Sequence, residues 1–305
     1  MLKIVNHSAI KLTKKTFANM TYLENSDLYK GDTRRYNFSG MANGCLEGRN
    51  GVMQVLQGKP IMEQIVAGRL CFYRRPAPQI QLYTQGNWRQ EINRFHQAQQ
   101  TAILELSTLY HRALNQVGEG VASIFLIHGM LLEDHDYVET VRGLINGQGA
   151  TAEYAVQMAE ISFAAAFTAM DSPYMRARAA DIRDISQRVL RALMGGRQTL
   201  LMDEPAILVA DEYLPSEVMD FDQRRLLGLI TRRGSLDSHT AMLVRAYHIP
   251  AIVEVNVTPR CEGRLALMDG YTGSVYIDPE PEQLEQLREL YQANGRPEGP
   301  SAHIL

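Results

Sequence analysis

The stretch of residues 88–196 carries apolar side chains at three- and four-residue spacing. This spacing places the apolar residues on one face of a helix, so the stretch predicts several consecutive helices. Short polar or glycine breaks separate them, as between the helices of a bundle. Thr151 is predicted to cap one of these helices, and Pro173 to occupy the first turn of another. A helical bundle therefore accounts for the middle of the chain.

The pattern differs on both sides of the helical stretch. After Gly196 the apolar residues form short runs, AILVA, LLGLIT, AIVEV, LALM and SVYI, which are typical of strands. Helices are predicted between them, around residues 215–222 and 238–246. One more strand is predicted before the bundle, in QIVAGRLCFYRRP. The fold class predicted is an α/β domain with an all-α bundle inserted into it.

These patterns predict the domain boundaries. The α/β domain is expected to comprise residues 58–85 and 197–280, and the helical domain residues 86–196. Residues 1–57 are rich in Gly and Asn without a sustained period, so they are interpreted as a separate N-terminal segment for which no fold is predicted. Residues 281–305 are expected to hold a polar helix up to about Ala293 and an unstructured end.

Composition excludes several classes of protein. A net charge of -3 with dispersed basic residues disfavours a nucleic-acid partner. Three cysteines without metal-ligand spacing indicate a reducing compartment rather than a disulfide framework. No apolar run approaches the ~18 residues of a membrane span, and no signal peptide is visible. A cytoplasmic protein without membrane insertion is expected.

One histidine stands at the start of a predicted helix. In GSLDSHTAMLVRAYHIPAI, residues 234–252, Asp237 or Ser238 can cap the helix, and His239 falls in its first turn. Unpaired backbone N–H groups and the helix dipole would stabilise a phosphoryl group on the imidazole there. A neutral ring nitrogen is also a competent nucleophile. On residue types alone, however, capping and packing explain such a histidine better than chemistry does.

A longer series of motifs resembles a known family. The stretch GSLDSHTAMLVRAYHIPAI is similar to the active-site signature of PEP-utilising phosphohistidine domains. The other motifs, in the order found in the amino-terminal half of Enzyme I of the bacterial sugar phosphotransferase system, are IFLIHGMLLEDHDYVETVRGLI, TAEYAV, SPYMRARAADIRDISQRVLRALMG, ILVADEYLPSE and GSVYIDP. The resemblance covers about residues 62–293. It implies a swivelling phosphohistidine α/β domain with an inserted helical domain that docks the carrier protein HPr.

The resemblance also implies roles for individual residues. His239 takes the place of the histidine that carries the phosphoryl group and exchanges it with HPr. It is flanked by Asp237, Ser238, Thr240 and Arg245, which are expected to support the loop and the phosphoryl group. The residues that match elements facing HPr are Met130, Leu131, Leu132, Glu133 and Arg178. The alternative for each apolar one is a place in the bundle core. No metal ligand is predicted, and His128 is expected to be structural.

Two departures from the family pattern lie near His239. Family members often read Gly-Gly-x-Thr-Ser-His, whereas this chain has Ser235, Leu236 and Asp237 at three of those places. The Asp237 carboxylate could repel a phosphoryl group, cap the helix or orient the imidazole, and the sequence leaves these open. In YLPSE, Leu214 replaces a threonine, which removes a hydrogen-bond partner for the resting histidine.

The match ends before the second half of Enzyme I, a dimerising β/α barrel that binds PEP and Mg²⁺. The chain is therefore expected to hold no cofactor, with PEP and Mg²⁺ bound only where that barrel is present, and to be a monomer. Two alternatives to phosphotransfer with HPr remain. One is a non-catalytic module that binds HPr, and the other is a phosphotransfer subunit of dihydroxyacetone-kinase type. Residues 1–57 are too short for the HPr-like domain of such a subunit.

Overall fold

A computed structural model describes residues 53–75, 79–84, 86–196, 202, 204–282 and 285. All of them belong to one compact unit, Met53–Leu305. Nearly all of the predicted N-terminal segment and most of the predicted C-terminal helix and tail lie outside the described residues.

Eight strands form one mixed sheet. They are β1 (Gln54–Gln57), β2 (Lys59–Pro60), β3 (Ile65–Phe72), β4 (Ala206–Ala210), β5 (Leu226–Thr231), β6 (Ala251–Val253), β7 (Leu265–Asp269) and β8 (Ser274–Ile277). Their order in the sheet is β1-β8-β7-β3-β4-β5-β6-β2. Strands β3 to β6 run parallel to one another, and the other neighbours pair antiparallel.

Seven α-helices accompany the sheet in the described part of the chain. They are α1 (Trp88–Val117), α2 (Glu119–Leu132), α3 (His135–Gln148), α4 (Ala152–Thr168), α5 (Pro173–Leu193), α6 (Pro215–Asp220) and α7 (His239–Ala246). Helices α1 to α5 follow β3, precede β4 and pack on one another. The predicted fold class, an α/β domain with an inserted helical bundle, is confirmed. None of the described helices is long and apolar enough to cross a membrane.

Local signals in the sequence set the ends of the bundle helices. The Thr151 hydroxyl accepts a hydrogen bond from the backbone N–H of Tyr154 and so caps α4, as predicted. The Asp134 carboxylate caps α3 in the same way. That helix ends at Gly149, whose left-handed conformation with φ of 65° favours glycine. These caps satisfy backbone groups that the helices themselves leave unpaired.

The first strand corrects the predicted boundary at residue 57. Strand β1 pairs antiparallel with β8, with Val55 opposite Tyr276, so residues 54–57 belong to the sheet and not to the N-terminal segment. Most of the strand is exposed. Because both faces of such an edge strand can stay exposed, its sequence shows no alternation of apolar and polar residues from which a strand could be predicted.

The sheet brings the start of α7 to the edge where sites of α/β proteins usually lie. Strand β4 is buried along its whole length, and branched side chains such as Val66, Ile207, Ile230 and Ile252 form the core beside it. Helices α6 and α7 follow the carboxyl ends of the parallel strands β4 and β5. In open α/β sheets, ligand sites lie at this edge.

Candidate functional site

The loop between β5 and α7 fixes the position of His239. Gly234 adopts φ of 155°, and a Cβ there would lie 3.2 Å from Val253 and 3.3 Å from the Thr231 hydroxyl, so a side chain would be strained. Ser238 then caps α7, since its hydroxyl accepts from the backbone N–H of Ala241 at 3.1 Å. His239 is the first residue of the helix. The loop therefore presents this ring at a defined place.

The His239 side chain faces the helical bundle and is only 6 % exposed. Its Nδ1 lies 3.0 Å from Oδ1 of Asp181. A guanidinium nitrogen of Arg178 lies 2.7 Å from the same Nδ1 and also contacts Nε2. A carboxylate only accepts hydrogen bonds and a guanidinium only donates them. The guanidinium lies closer to Nε2 than to Nδ1, whereas Asp181 contacts Nδ1 alone. The arrangement therefore favours the tautomer with a proton on Nδ1, bound by Asp181, and with the Nε2 lone pair facing Arg178.

Asp181 is the carboxylate that contacts the other charged and titratable groups of the site. It is 1 % exposed and contacts Arg178 at 3.1 Å and Nε2 of His128 at 3.3 Å, in addition to His239. Burial by itself would raise the pKa of this carboxyl group, but the contacts with His128 and His239 outweigh burial and hold the pKa below its ordinary value. The carboxylate is therefore ionised at neutral pH.

A second buried carboxylate lies one turn further along α5. Asp184 accepts hydrogen bonds from the backbone N–H of Ser216, at 2.9 Å, and from the hydroxyl of the same residue. His128 lies between the two aspartates, with its Nδ1 3.5 Å from Oδ2 of Asp184. His128 is thus part of the polar network behind His239, which is compatible with the structural role expected of it.

The sequence prediction did not include Asp181, Asp184 or Ser216 in the site. A signal for the aspartates was present. Both occupy the buried face of α5, three residues apart, where Ile182 and Ile185 lie beside them. Charged residues on an otherwise buried helical face are rare unless they are paired, and this spacing indicates a polar contact within the fold.

The residues flanking His239 brace the loop. The Thr240 hydroxyl donates to the backbone carbonyl of Tyr213 at 2.9 Å, and Arg245 donates to the carbonyl of Leu236 at 2.9 Å. The Ser238 hydroxyl donates to the Ser235 carbonyl at 2.8 Å. These contacts agree with the expected support of the loop, whereas support of a phosphoryl group stays a prediction.

Other residues fill two of the three roles considered for Asp237, which are capping of the helix and orientation of the imidazole. Ser238 caps the helix, and Asp181 is the carboxylate that contacts the imidazole. The Asp237 side chain is exposed. Leu214, the other departure from the family pattern, is 2 % exposed and offers no side-chain hydrogen bond, and His239 bonds to α5 instead.

An open groove lies beside His239 between the bundle and the α/β domain. It is lined by Val121, Tyr174, Leu236, Asp237, Ser238, Met242, Arg245, Ala246 and His248. Tyr174 and Met242 are 59 % and 40 % exposed. The Tyr174 ring lies 4.2 Å from the guanidinium of Arg178. This stacking connects the groove with the cation that contacts His239.

The predicted partner-facing residues lie in different environments. Met130 is 55 % exposed, whereas Leu132 is fully buried. Leu131 is half-buried and Glu133 is exposed. Leu132 follows the fully buried His128 by four residues, so both point into the bundle. Leu132 therefore presents no side-chain surface to a partner, and its assignment to that element is corrected.

Arg178 was also predicted to face the partner. Its side chain is only 15 % exposed, and it contacts His239 and Asp181. The structure thus includes Arg178 in the site around the histidine. Leu126 and Ile127, which the prediction omitted, are 47 % and 43 % exposed on α2.

The donor atoms of His128, Asp181 and His239 lie within 4.8 Å of one another, and these residue types could hold a transition metal. Arg178 contacts both ring nitrogens of His239. A guanidinium in that place repels a second cation. The 3.0 Å contact of Asp181 with Nδ1 of His239 is that of a hydrogen-bonded carboxylate.

Comparisons with known proteins agree with this architecture. The chain matches the family described as PEP-utilising enzyme, N-terminal, over residues 57–178. It matches the family described as PEP-utilising enzyme, mobile domain, over residues 202–273. The second match contains His239 and its loop, and the first contains Arg178 and most of the bundle.

Among curated proteins, the chain is similar to phosphoenolpyruvate-protein phosphotransferases. The protein of Geobacillus stearothermophilus is 35% identical over 210 residues, which are 67% of this chain and 36% of the relative. That of Lactococcus lactis subsp. lactis is 30% identical over 244 residues, 78% of this chain and 42% of the relative. The chain thus spans about two fifths of the length of these relatives.

Solved structures show the same fold. The NMR solution structure of Enzyme I (nEIt) has a TM-score of 0.59 and 27% identity, with 79% of this chain and 99% of that chain covered. The N-terminal domain of Enzyme 1 - Nitrogen has a TM-score of 0.51 and 27% identity, with coverages of 78% and 99%. The chain therefore belongs to the PEP-utilising enzymes, among which it corresponds to the amino-terminal half of Enzyme I.

Proposed function

We propose that His239 carries a phosphoryl group and exchanges it with the active-site histidine of HPr, as one step of PEP-dependent phosphotransfer. The observation that supports this most directly is the contact of its Nδ1 with the ionised Asp181, 3.0 Å away. This contact favours Nδ1 as the protonated nitrogen and leaves a lone pair on Nε2, which is the requirement for a nucleophile.

The proposed step is a displacement at phosphorus. The Nε2 lone pair of His239 forms a bond to phosphorus of phosphorylated HPr, the P–N bond to the HPr histidine breaks, and the HPr nitrogen keeps the electron pair. Proton transfer is not needed, so positioning and charge stabilisation supply the catalysis. Asp181 would stabilise the positive charge that develops on the His239 ring.

Arg178 is expected to change partners during this step. In the resting arrangement its guanidinium contacts Nε2 and covers the lone pair. It must therefore shift before attack. Once phosphorus is bound to Nε2, the same guanidinium is close enough to pair with the phosphoryl oxygens, a strong charge-assisted interaction. The Tyr174 ring, 4.2 Å away, offers a surface along which the guanidinium can remain stacked.

The groove beside His239 is the proposed docking surface for HPr. Tyr174 and Met242 offer exposed apolar area in it, and Met130 offers more on α2. Methionine and tyrosine side chains suit protein interfaces, because they adapt their shape and contribute large contact areas. An HPr molecule bound there would approach the histidine from the open side.

The test is phosphorylation of the chain by phosphorylated HPr, followed by mapping of the modified residue by mass spectrometry under alkaline conditions. We expect reversible labelling at His239 and none in His239→Ala. His111→Ala, which alters an exposed histidine on α1, is the matched control and should label normally.

Two outcomes would contradict the proposal. Labelling that survives in His239→Ala would exclude this histidine as the carrier. HPr binding without phosphoryl exchange in the unmodified chain would favour the alternative of a non-catalytic binding module.

A further inference from the structure

His128 is fully buried on α2 and has carboxylates on both sides of its ring. Its Nε2 lies 3.3 Å from Oδ1 of Asp181, and its Nδ1 lies 3.5 Å from Oδ2 of Asp184. Both aspartates are 1 % exposed. The ring does not touch His239 through a polar atom; the two ring centres are 6.2 Å apart, and Asp181 lies between them in the chain of contacts.

Each of the two carboxylates holds a different element of the α/β domain. Asp181 binds the imidazole of His239 at the start of α7, and Asp184 binds the backbone N–H and the hydroxyl of Ser216 in α6. Both project from neighbouring turns of α5. These two carboxylates join the bundle to α6 and α7 of the α/β domain. His128 lies between them.

The two carboxylates differ in the positive charges that surround them. Arg178 provides a positive charge for Asp181. Within the residues that the structure describes, no arginine or lysine contacts Asp184. A neutral imidazole has one N–H and could serve only one carboxylate, whereas its other nitrogen would direct a lone pair at the second. A ring with a proton on each nitrogen would present an N–H to each carboxylate and would supply the missing positive charge.

We propose that His128 is a positioning residue for the phosphoryl transfer of the preceding section, on which this inference rests. As an imidazolium, it joins Asp181 to Asp184 and holds Asp181 in the orientation that receives Nδ1 of His239. It does not touch the reacting atoms. Its effect reaches Nε2 through Asp181 and the tautomer of His239, in the way that outer groups orient the ligands of a metal or the histidine of a catalytic triad.

The first experiment is independent of phosphotransfer. Long-range ¹H–¹⁵N correlation spectra of the ¹⁵N-histidine-labelled chain at neutral pH report how many protons each ring carries. We expect both nitrogens of His128 to be protonated, and His239 to carry a single proton, on Nδ1. A His128 ring with one proton overturns the proposal, whether or not the chain accepts a phosphoryl group.

The second experiment uses two variants of His128, each of which keeps the contact with only one of the two aspartates. In His128→Gln the amide nitrogen takes the place of Nε2 and can still donate to Asp181, whereas in His128→Asn it takes the place of Nδ1 and faces Asp184. Single-turnover transfer from phosphorylated HPr should slow about 10–100-fold in His128→Asn and less than about 5-fold in His128→Gln. The Kd for unphosphorylated HPr should stay the same in both.

Circular dichroism and thermal unfolding establish that each variant is folded. Equal rates in both variants and the unmodified chain would overturn the positioning role. If neither variant folds, the spectra of the unmodified chain decide the question alone. A chain that shows the doubly protonated His128 but no phosphorylation at all would refute the proposed function. The protonated contact of His128 with both aspartates would still hold in that case.

Discussion

Asp181 on α5 and His239 on α7 meet across the boundary between the helical bundle and the α/β domain, with Oδ1 and Nδ1 3.0 Å apart. Neither residue is more than 6 % exposed. The α5 helix of the bundle therefore contributes to the orientation of the histidine that the α/β domain presents.

Asp181→Asn tests this contact. The amide has the shape of the carboxylate but no charge. Its NH₂ group would replace one carboxylate oxygen and would direct N–H groups at donors of Arg178 or His128. We expect single-turnover phosphoryl transfer from phosphorylated HPr to fall about 10–100-fold, with the affinity for HPr nearly unchanged. Rapid-quench measurements check the rate.

The matched control for Asp181→Asn is Glu139→Gln, which neutralises a 49 % exposed carboxylate on α3. An exposed ion pair contributes little to stability, so this variant should behave as the unmodified chain. Transfer at full rate in Asp181→Asn would show that the carboxylate does not act on the histidine.

Much of the fold was predictable because its signals are local. The runs AILVA, LLGLIT and SVYI coincide with β4, β5 and β8, and the cap at Thr151 fixes the start of α4. Apolar spacing and capping act within one or two turns of chain. Strand β1 lacks such a signal, because it forms by pairing with residues 274–277 and buries little of its own surface.

The site was predictable only in part, for the same reason. His239 and its cap are adjacent in the sequence, and the family motif contains them both. The contact of His239 with Asp181 joins residues 58 positions apart, and that of His128 with Asp181 joins two helices of the bundle. Neither depends on a local pattern. The place of a polar residue on a buried helical face indicates that it has a partner, but only the packing of the domains identifies that partner.

Glu160 on α4 makes the stability of the protein depend on pH. Burial raises the pKa of this carboxyl group to about 7, although Gln187 donates a hydrogen bond to it at 2.9 Å. In the unfolded chain a glutamate has a pKa of about 4.3. The folded state therefore binds the proton more tightly, and the stability falls as the pH rises from about 4.5 through about 7.

Glu160→Gln should remove this dependence. Compared with the unmodified chain, we expect its free energy of unfolding to gain about 1–2 kcal/mol between pH 5 and pH 8. Urea unfolding at both pH values measures the difference. Glu139→Gln, which alters an exposed carboxylate, should show no such gain. A difference between Glu160→Gln and the unmodified chain that is the same at both pH values would mean that Glu160 is ionised throughout.

A comparison of Met130 with Leu132 tests the proposed docking surface against the bundle core. Met130 is 55 % exposed and Leu132 is fully buried. Met130→Ala should leave the free energy of unfolding within about 0.5 kcal/mol and weaken HPr binding by about 1 kcal/mol or more, roughly 5-fold. Leu132→Ala should cost about 2–5 kcal/mol of stability and leave the affinity of the folded protein unchanged. Calorimetric titration and urea unfolding provide both quantities, and the reverse result would place the partner elsewhere.

Asp237 remains the carboxylate whose effect on transfer has to be measured. Its side chain is exposed and lines the groove through which phosphorylated HPr would approach. A negative charge there repels an incoming phosphoryl group and costs on the order of 1 kcal/mol near a protein surface. We therefore expect Asp237→Asn to accelerate phosphorylation of His239 by phosphorylated HPr about 2–5-fold at low ionic strength.

This gain should shrink in about 0.5 M salt, where the Debye length is only a few ångströms. Asp237→Glu keeps the charge and should show no acceleration. Slower transfer in Asp237→Asn, at unchanged stability, would reverse the sign of the effect. The carboxylate would then be attracting a cationic group of the partner more strongly than it repels the phosphoryl group, and Asp237 would contribute to the choice of partner at this groove.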